Sequence, residues 1–149
     1  MSSWFQSPIA TALRALVVLA AFLLVLERLD FFPASGAVAD WIGLAAPAFY
    51  LWAFWSGAEI FAKTRSATDF GPALVSGLNR MGAGLMLGAW VAILAEPALR
   101  YLIDNGFTVM TGVRFEWTLA NLALAFAGLT LLLLARRGRQ IRAELDGFV

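Results

Sequence analysis

Glu59 and Lys63 stand four residues apart, in the order that lets the two charges pair on one face of a helix. A carboxylate placed this way can also relay protons, although one turn from a lysine the usual role is structural. The other concentration of chemistry is a run of guanidiniums, Arg136, Arg137, Arg139 and Arg142, suited to anionic headgroups. Asn121 sits within an apolar run, where an amide more often bonds to a neighbouring helix than to a transported solute. The chain has no histidine and no cysteine, which removes disulfides, thiolate chemistry, zinc sites and the usual haem ligands. No nucleophile and base are paired and no metal-ligand cluster is spaced for binding, so neither catalysis nor a cofactor is expected.

The elements that carry these groups follow from composition. Of 149 residues, 61% are hydrophobic and 14% charged, against about 45–50% apolar and about 25% charged in a soluble domain. A small soluble fold leaves too much surface exposed to hide this apolar content, so the expected solvent is a lipid bilayer. The length suits one domain. The net charge of +1 gives no reason to expect direct contact with nucleic acid.

A helix needs roughly 20 apolar residues to cross about 30 Å of hydrocarbon. Four stretches qualify, at about 9–29, 40–62, 77–95 and 116–135, which predicts an all-α, integral membrane four-helix bundle. Pro33 and Gly36 break the chain between the first two, and "KTRSATDFGP" forms a loop over 63–76. The third connection, 96–115, is too polar to span. Its Asn105-Gly106 and Gly112 mark turns, and the alternating "FTVMTGVRF" suits a short hairpin.

Lysine and arginine on short loops favour the cytoplasmic side. With both ends inside, eight basic residues lie inside (Arg14, Lys63, Arg65, Arg80 and the four tail arginines) and three outside (Arg28, Arg100, Arg114). The expected topology is therefore N-in, C-in, with Arg14, Arg80, Arg136 and Arg137 anchoring the inner interface. The "AVA" before Asp40 resembles a signal-peptide cleavage site, but "ERLDFFPASG" makes the preceding segment too long and too charged. The first helix is read as a true span.

Within the spans, Gly84 and Gly88 form a small-x-x-x-small step for close helix approach, either inside the bundle or in a homodimer. Pro47 is expected to kink the second span. Trp41, Tyr101 and Trp117 suit an outer aromatic belt, with Trp4, Trp52 and Trp55 nearer the inner half. Tyr50, Trp52, Phe54 and Trp55 could line a pigment or quinone pocket, although lipid-facing or packing aromatics are commoner.

The chain closes on "LLLLARRGRQIRAELDGFV". Ile141, Leu145 and Phe148 form a narrow apolar stripe with arginines on the other faces. The last span is expected to leave the bilayer as a helix, with Gly138 as a soft point and Gly147 as its stop. The stripe suits the inner membrane surface or the groove of a cytoplasmic partner.

The segment "AEIFAKTRSATDFGPALVSGLNRMGAGLMLG", with Phe70 and Leu78, and the ending Ile141–Val149 resemble the small four-span bacterial inner-membrane proteins of domain of unknown function twenty-nine seventy-five. The resemblance covers most of the chain through diffuse patterns. It implies a membrane protein that restrains or tunes a cytoplasmic helix-turn-helix transcription regulator. The docking candidates it implies on the inner loop and tail are Lys63, Arg65, Asp69, Phe70, Arg139, Arg142, Leu145 and Phe148. The alternatives are an accessory subunit of a larger membrane complex and a small transporter. The transporter reading is weakest, because the span centres carry almost no charge.

Overall fold

The computed structural model describes residues 8–30, 42–63, 67–105 and 112–146, without the side chains of 27–30, 63, 67–69, 145 and 146. The described residues are all-helical: α1 (Pro8–Asp30), α2 (Ala45–Lys63), α3 (Ala67–Trp90), a π-helical turn (Val91–Ala95), α4 (Glu96–Asp104) and α5 (Leu119–Asp146). No strand occurs among them. Because α3, the π turn and α4 follow one another without a break, the described residues form four rods.

Three stretches, Pro8–Leu26, Phe70–Asp104 and Leu119–Glu144, are long and apolar enough to cross a membrane. The second expected span is the exception. Its helix, α2, begins at Ala45, runs 19 residues to Lys63 and is not among the three.

The third rod departs most from the sequence expectation. Residues 67–76, expected in a loop, are already helical, and Pro72 lies inside α3, forgoing the bond to the carbonyl four residues back. At the other end the helix continues to Asp104, into the expected outer loop 96–115. Pro97 cannot donate to a carbonyl one turn back. The helix absorbs it by widening, and the N–H of Glu96 donates to the carbonyl of Val91. Asn105 closes α4, its backbone N–H and its side-chain amide both donating to the Tyr101 carbonyl at 3.1 and 2.9 Å.

Most of the segment expected as a hairpin lies outside the described residues, and its described part, 112–115, forms no strand. Gly112 does turn there, with φ at +116°. A side chain at that φ would be strained, and its Cβ would also stand 3.2 Å from the Tyr101 hydroxyl.

The rods pack antiparallel in the order α1, α2, α3, α5. The principal interfaces are α2 with α3 and α3 with α5, followed by α1 with α2; α1 makes no comparable packing with α3 or α5. The arrangement is an open row rather than a closed bundle. Small residues dominate what is buried, including Ala10, Ala46, Ala53, Ala58, Ala89 and Ala135, and among the described residues no large side chain is fully enclosed. That composition fits helices drawn together by close backbone approach, as in lipid, where apolar side chains gain little by leaving the tails. Ser56 is the buried polar side chain, and its hydroxyl donates to the Trp52 carbonyl at 2.9 Å.

Glycines set the two central interfaces. A Cβ on Gly84 would stand 2.8 Å from the Ala53 Cβ and 3.1 Å from the Phe49 carbonyl oxygen. Gly88 lies under the Tyr50 ring, so both members of the small-residue step are taken up by α2 within the chain. Gly82 and Gly128 bring α3 and α5 together: a Cβ on Gly82 would lie 2.7 Å from the Gly128 carbonyl oxygen, and one on Gly128 2.9 Å from that of Gly82.

Pro47 does not kink α2. It lies in the first turn of the helix, where its missing N–H would have had no intrahelical partner. Asn121 is likewise placed at a helix start. The Thr118 hydroxyl oxygen accepts its backbone N–H at 3.2 Å and caps α5. No hydrogen bond joins the Asn121 side chain to a neighbouring helix among the described residues.

Candidate interaction site

The antiparallel row gathers the basic residues of separate helices at one end. Val75 of α3 meets Gly138 of α5, with 3.0 Å between a valine methyl and a Cβ placed on that glycine. One turn further out, Gly71 stands beside the Arg142 guanidinium. The Nη1 of Arg139 donates to Asn79 Oδ1 at 3.4 Å. Helix α5 runs unbroken through Gly138 to Asp146, so this glycine is a packing position rather than a soft point.

Between the first turns of α3 and the last turns of α5 lies a cleft of about 350 Å³. Arg80, Arg139 and Arg142 line it together with Asn79 and Ser76, over Pro72 and Val75. Among the described residues that line it, none carries a carboxylate. Arg80 is held from the opposite side by Glu59 of α2, with Nη1 3.1 Å from Oε2. The pair is partly exposed, and in water such pairs contribute about 0.2–1 kcal/mol. Arg80 thus joins α2 to α3, a partner for Glu59 that the four-residue spacing to Lys63 did not suggest. The Lys63 side chain lies outside the described set.

Arg14 does more than anchor a helix end. Its guanidinium carbon stands 5.3 Å from the centre of the Trp55 ring, a cation–π contact that links α1 to α2. Its Nε is buried without a hydrogen-bond partner. Arg136 and Arg137 are exposed on another side of α5, where they border a shallow groove with Thr130, Leu133 and Gln140 rather than the cleft.

Phe70 lies in the first turns of α3 and is 45% exposed, while Ile141 of the tail stripe is 50% exposed. Among the other docking candidates, Arg65 and Phe148 lie outside the described residues, and Lys63, Asp69 and Leu145 are described in backbone only. The structure therefore brings Arg139 and Arg142 together with Arg80. It also adds Asn79 and Ser76, which the sequence reading passed over. Their signal was present in "VSGLNRMG", where two polar residues three apart share a helical face with a charge following.

The opposite end of the row has its own contact. Glu96 Oε1 accepts the backbone N–H of Ala46 at 3.1 Å and so caps the start of α2. Between α1 and α2 lies an apolar cavity of about 410 Å³, walled by Leu13, Leu16 and Val17 on one side and Pro47, Tyr50 and Phe54 on the other. Two of the four aromatics considered for a pocket, Tyr50 and Phe54, line it; Trp52 and Trp55 do not. The Tyr50 hydroxyl is buried without a partner.

No family model, no curated protein and no solved structure matches the chain.

Proposed function

We propose that the chain is a non-enzymatic protein of the bacterial inner membrane, crossing it with four rods and keeping both termini inside, whose basic end docks a cytoplasmic protein. The single observation that carries this reading is the convergence of α3 and α5 into one arginine-rich end, where Arg80, Arg139 and Arg142 line a shared cleft. Arg14 and the Glu59–Arg80 pair stand at the same end, and Arg100 and Arg114 belong to the other, so the positive-inside bias favours this end facing the cytoplasm. Helix α2 packs along α3 from Gly77 against Ile60 to Gly88 against Tyr50. A rod held that way between two span-length neighbours supports a fourth crossing despite its aromatic and polar content. The exposed Phe70 and Ile141 supply apolar contacts beside the charges, the mixture that an amphipathic docking face uses. The partner class, a helix-turn-helix transcription regulator, comes from the family resemblance.

The test is a pull-down from detergent extract through a tag on the outer loop, comparing the full chain with one lacking residues 139–149. A DNA-binding protein held by the full chain and lost from the truncated one, with both inserted, is the expected result. Recovery of integral membrane subunits alone would replace this reading with the accessory-subunit one. A reporter fused after Val149 that is active only in the periplasm would overturn it.

A further inference from the structure

The cleft between α3 and α5 has a chemistry more specific than net charge. Three guanidiniums, one hydroxyl and one amide line about 350 Å³, and none of the described residues that line the space carries a carboxylate. A cation is repelled from such a cavity. A purely apolar ligand would leave the donors unmatched. Guanidinium forks pair best with planar or tetrahedral oxyanions, and bidentate arginine contacts to phosphate are among the strongest hydrogen bonds available to side chains.

Two of the three arginines are held in place before any ligand arrives. Glu59 fixes Arg80 at 3.1 Å, and Asn79 accepts from Arg139 at 3.4 Å. Glu59 approaches Arg80 from α2, and it offsets one of the three positive charges. Two remain, enough to balance a phosphate diester or monoester. Arg142 is exposed, and its long side chain can reach over a bound group.

Position along the rods supplies the source of that phosphate. On α5 the run Leu131–Leu134 ends at Ala135, and the arginines begin directly afterwards. The cleft therefore opens where the hydrocarbon gives way to headgroups. Its floor is Pro72 and Val75, apolar surface against which the glycerol backbone of a lipid can rest. Basic pockets between helices at this depth are suited to anionic lipid headgroups.

We propose that Arg80, Arg139 and Arg142, with Asn79 and Ser76, form a binding site for a phosphate group, supplied by the headgroup of an anionic phospholipid in the inner leaflet. The proposal rests on the membrane reading above, but not on a protein partner. A lipid held here would tie the start of α3 to the end of α5 and fix the angle at which the tail leaves the membrane.

The test uses the purified full chain in a neutral detergent, with native mass spectrometry to count bound molecules. The probes are phosphatidylglycerol, diacylglycerol with the same acyl chains, and inorganic phosphate. Phosphatidylglycerol is expected to remain bound under activation that strips diacylglycerol. The double variant R139Q/R142Q is expected to weaken phosphatidylglycerol binding by about tenfold or more. The variant R136Q/R137Q removes the same formal charge outside the cleft and is expected to change binding by less than about threefold. Because all four side chains are exposed, loss of fold is not expected, and an unchanged thermal transition in zwitterionic nanodiscs checks it. Equal retention of diacylglycerol, or equal weakening by both double variants, would overturn the site. Inorganic phosphate that displaces the lipid at millimolar concentration would assign the same site to a free phosphate, and failure to displace it would assign the headgroup. Neither outcome depends on the pull-down, so this site and the docking reading can fail separately.

Discussion

Glu96 and Ala46 are fifty residues apart in the chain, yet the carboxylate of one accepts the backbone N–H of the other at 3.1 Å. The contact joins the start of α2 to the point where the third rod resumes α-helical geometry after its π turn. The extra residue in that turn rotates the rest of the rod about its axis, bringing Glu96 towards α2. Replacing Glu96 with alanine removes a cap and is expected to cost about 1 kcal/mol. The replacement E96Q keeps an acceptor oxygen and should cost less. Thermal unfolding in detergent, read by helical circular dichroism, checks both; equal transitions for E96A and the parent chain would dismiss the cap.

Gly82 and Gly128 oppose one another through backbone atoms rather than flexible side chains. A methyl group at either position must push α3 and α5 apart, and overpacking of this kind costs about 1–3 kcal/mol or more. G82A and G128A should therefore lower thermal stability clearly. G57A is the contrast, because the added Cβ meets the end of the flexible Met81 side chain, 2.8 Å from its sulfur. A loss for G57A as large as for G82A would mean that the backbone approach is not the limiting feature.

Arg14 over Trp55 is testable by a double-mutant cycle with R14Q and W55L. A coupling of about 0.5–2 kcal/mol is expected for a partly desolvated cation–π pair. Zero coupling would leave Arg14 as a charge at the helix end and nothing more.

Topology can be challenged directly. Substituting glutamine for Arg136, Arg137, Arg139 and Arg142 removes four of the eight basic residues expected inside. A dual reporter fused after Val149 is then expected to shift from wholly cytoplasmic towards a mixed orientation. A reporter unmoved by this change would show that the remaining inner residues suffice to hold the orientation.

The rods were legible where apolar residues run with little interruption, as in Leu16–Leu26 and Leu122–Ala135. The third rod was not, at either end. Gly71-Pro72 and Glu96-Pro97 read locally as breakers, whereas the helix accommodates the first inside its early turns and the second by a π bulge. Pairings across helices were hidden for a different reason. Glu59 has Lys63 as its sequence neighbour, but the register of α2 on α3 decides that Arg80 reaches it, and register depends on glycine contacts such as Gly77 against Ile60. The tail arginines were visible as a group. That two of them share a cavity with Arg80 while Arg136 and Arg137 face elsewhere depends on the rotation of α5 about its axis.

Rods standing in file differ mechanically from rods closed into a ring. Among the described residues each inner member has two principal supports and each end member one, and α1 leans chiefly on α2. Loosening α1 therefore acts first on its seam with α2, the Arg14–Trp55 contact included, while the principal α2–α3 and α3–α5 seams are built without α1. Of the three principal seams among the described residues, the one the first helix makes is the least extensive, and the arginine cleft is built on one of the two most extensive.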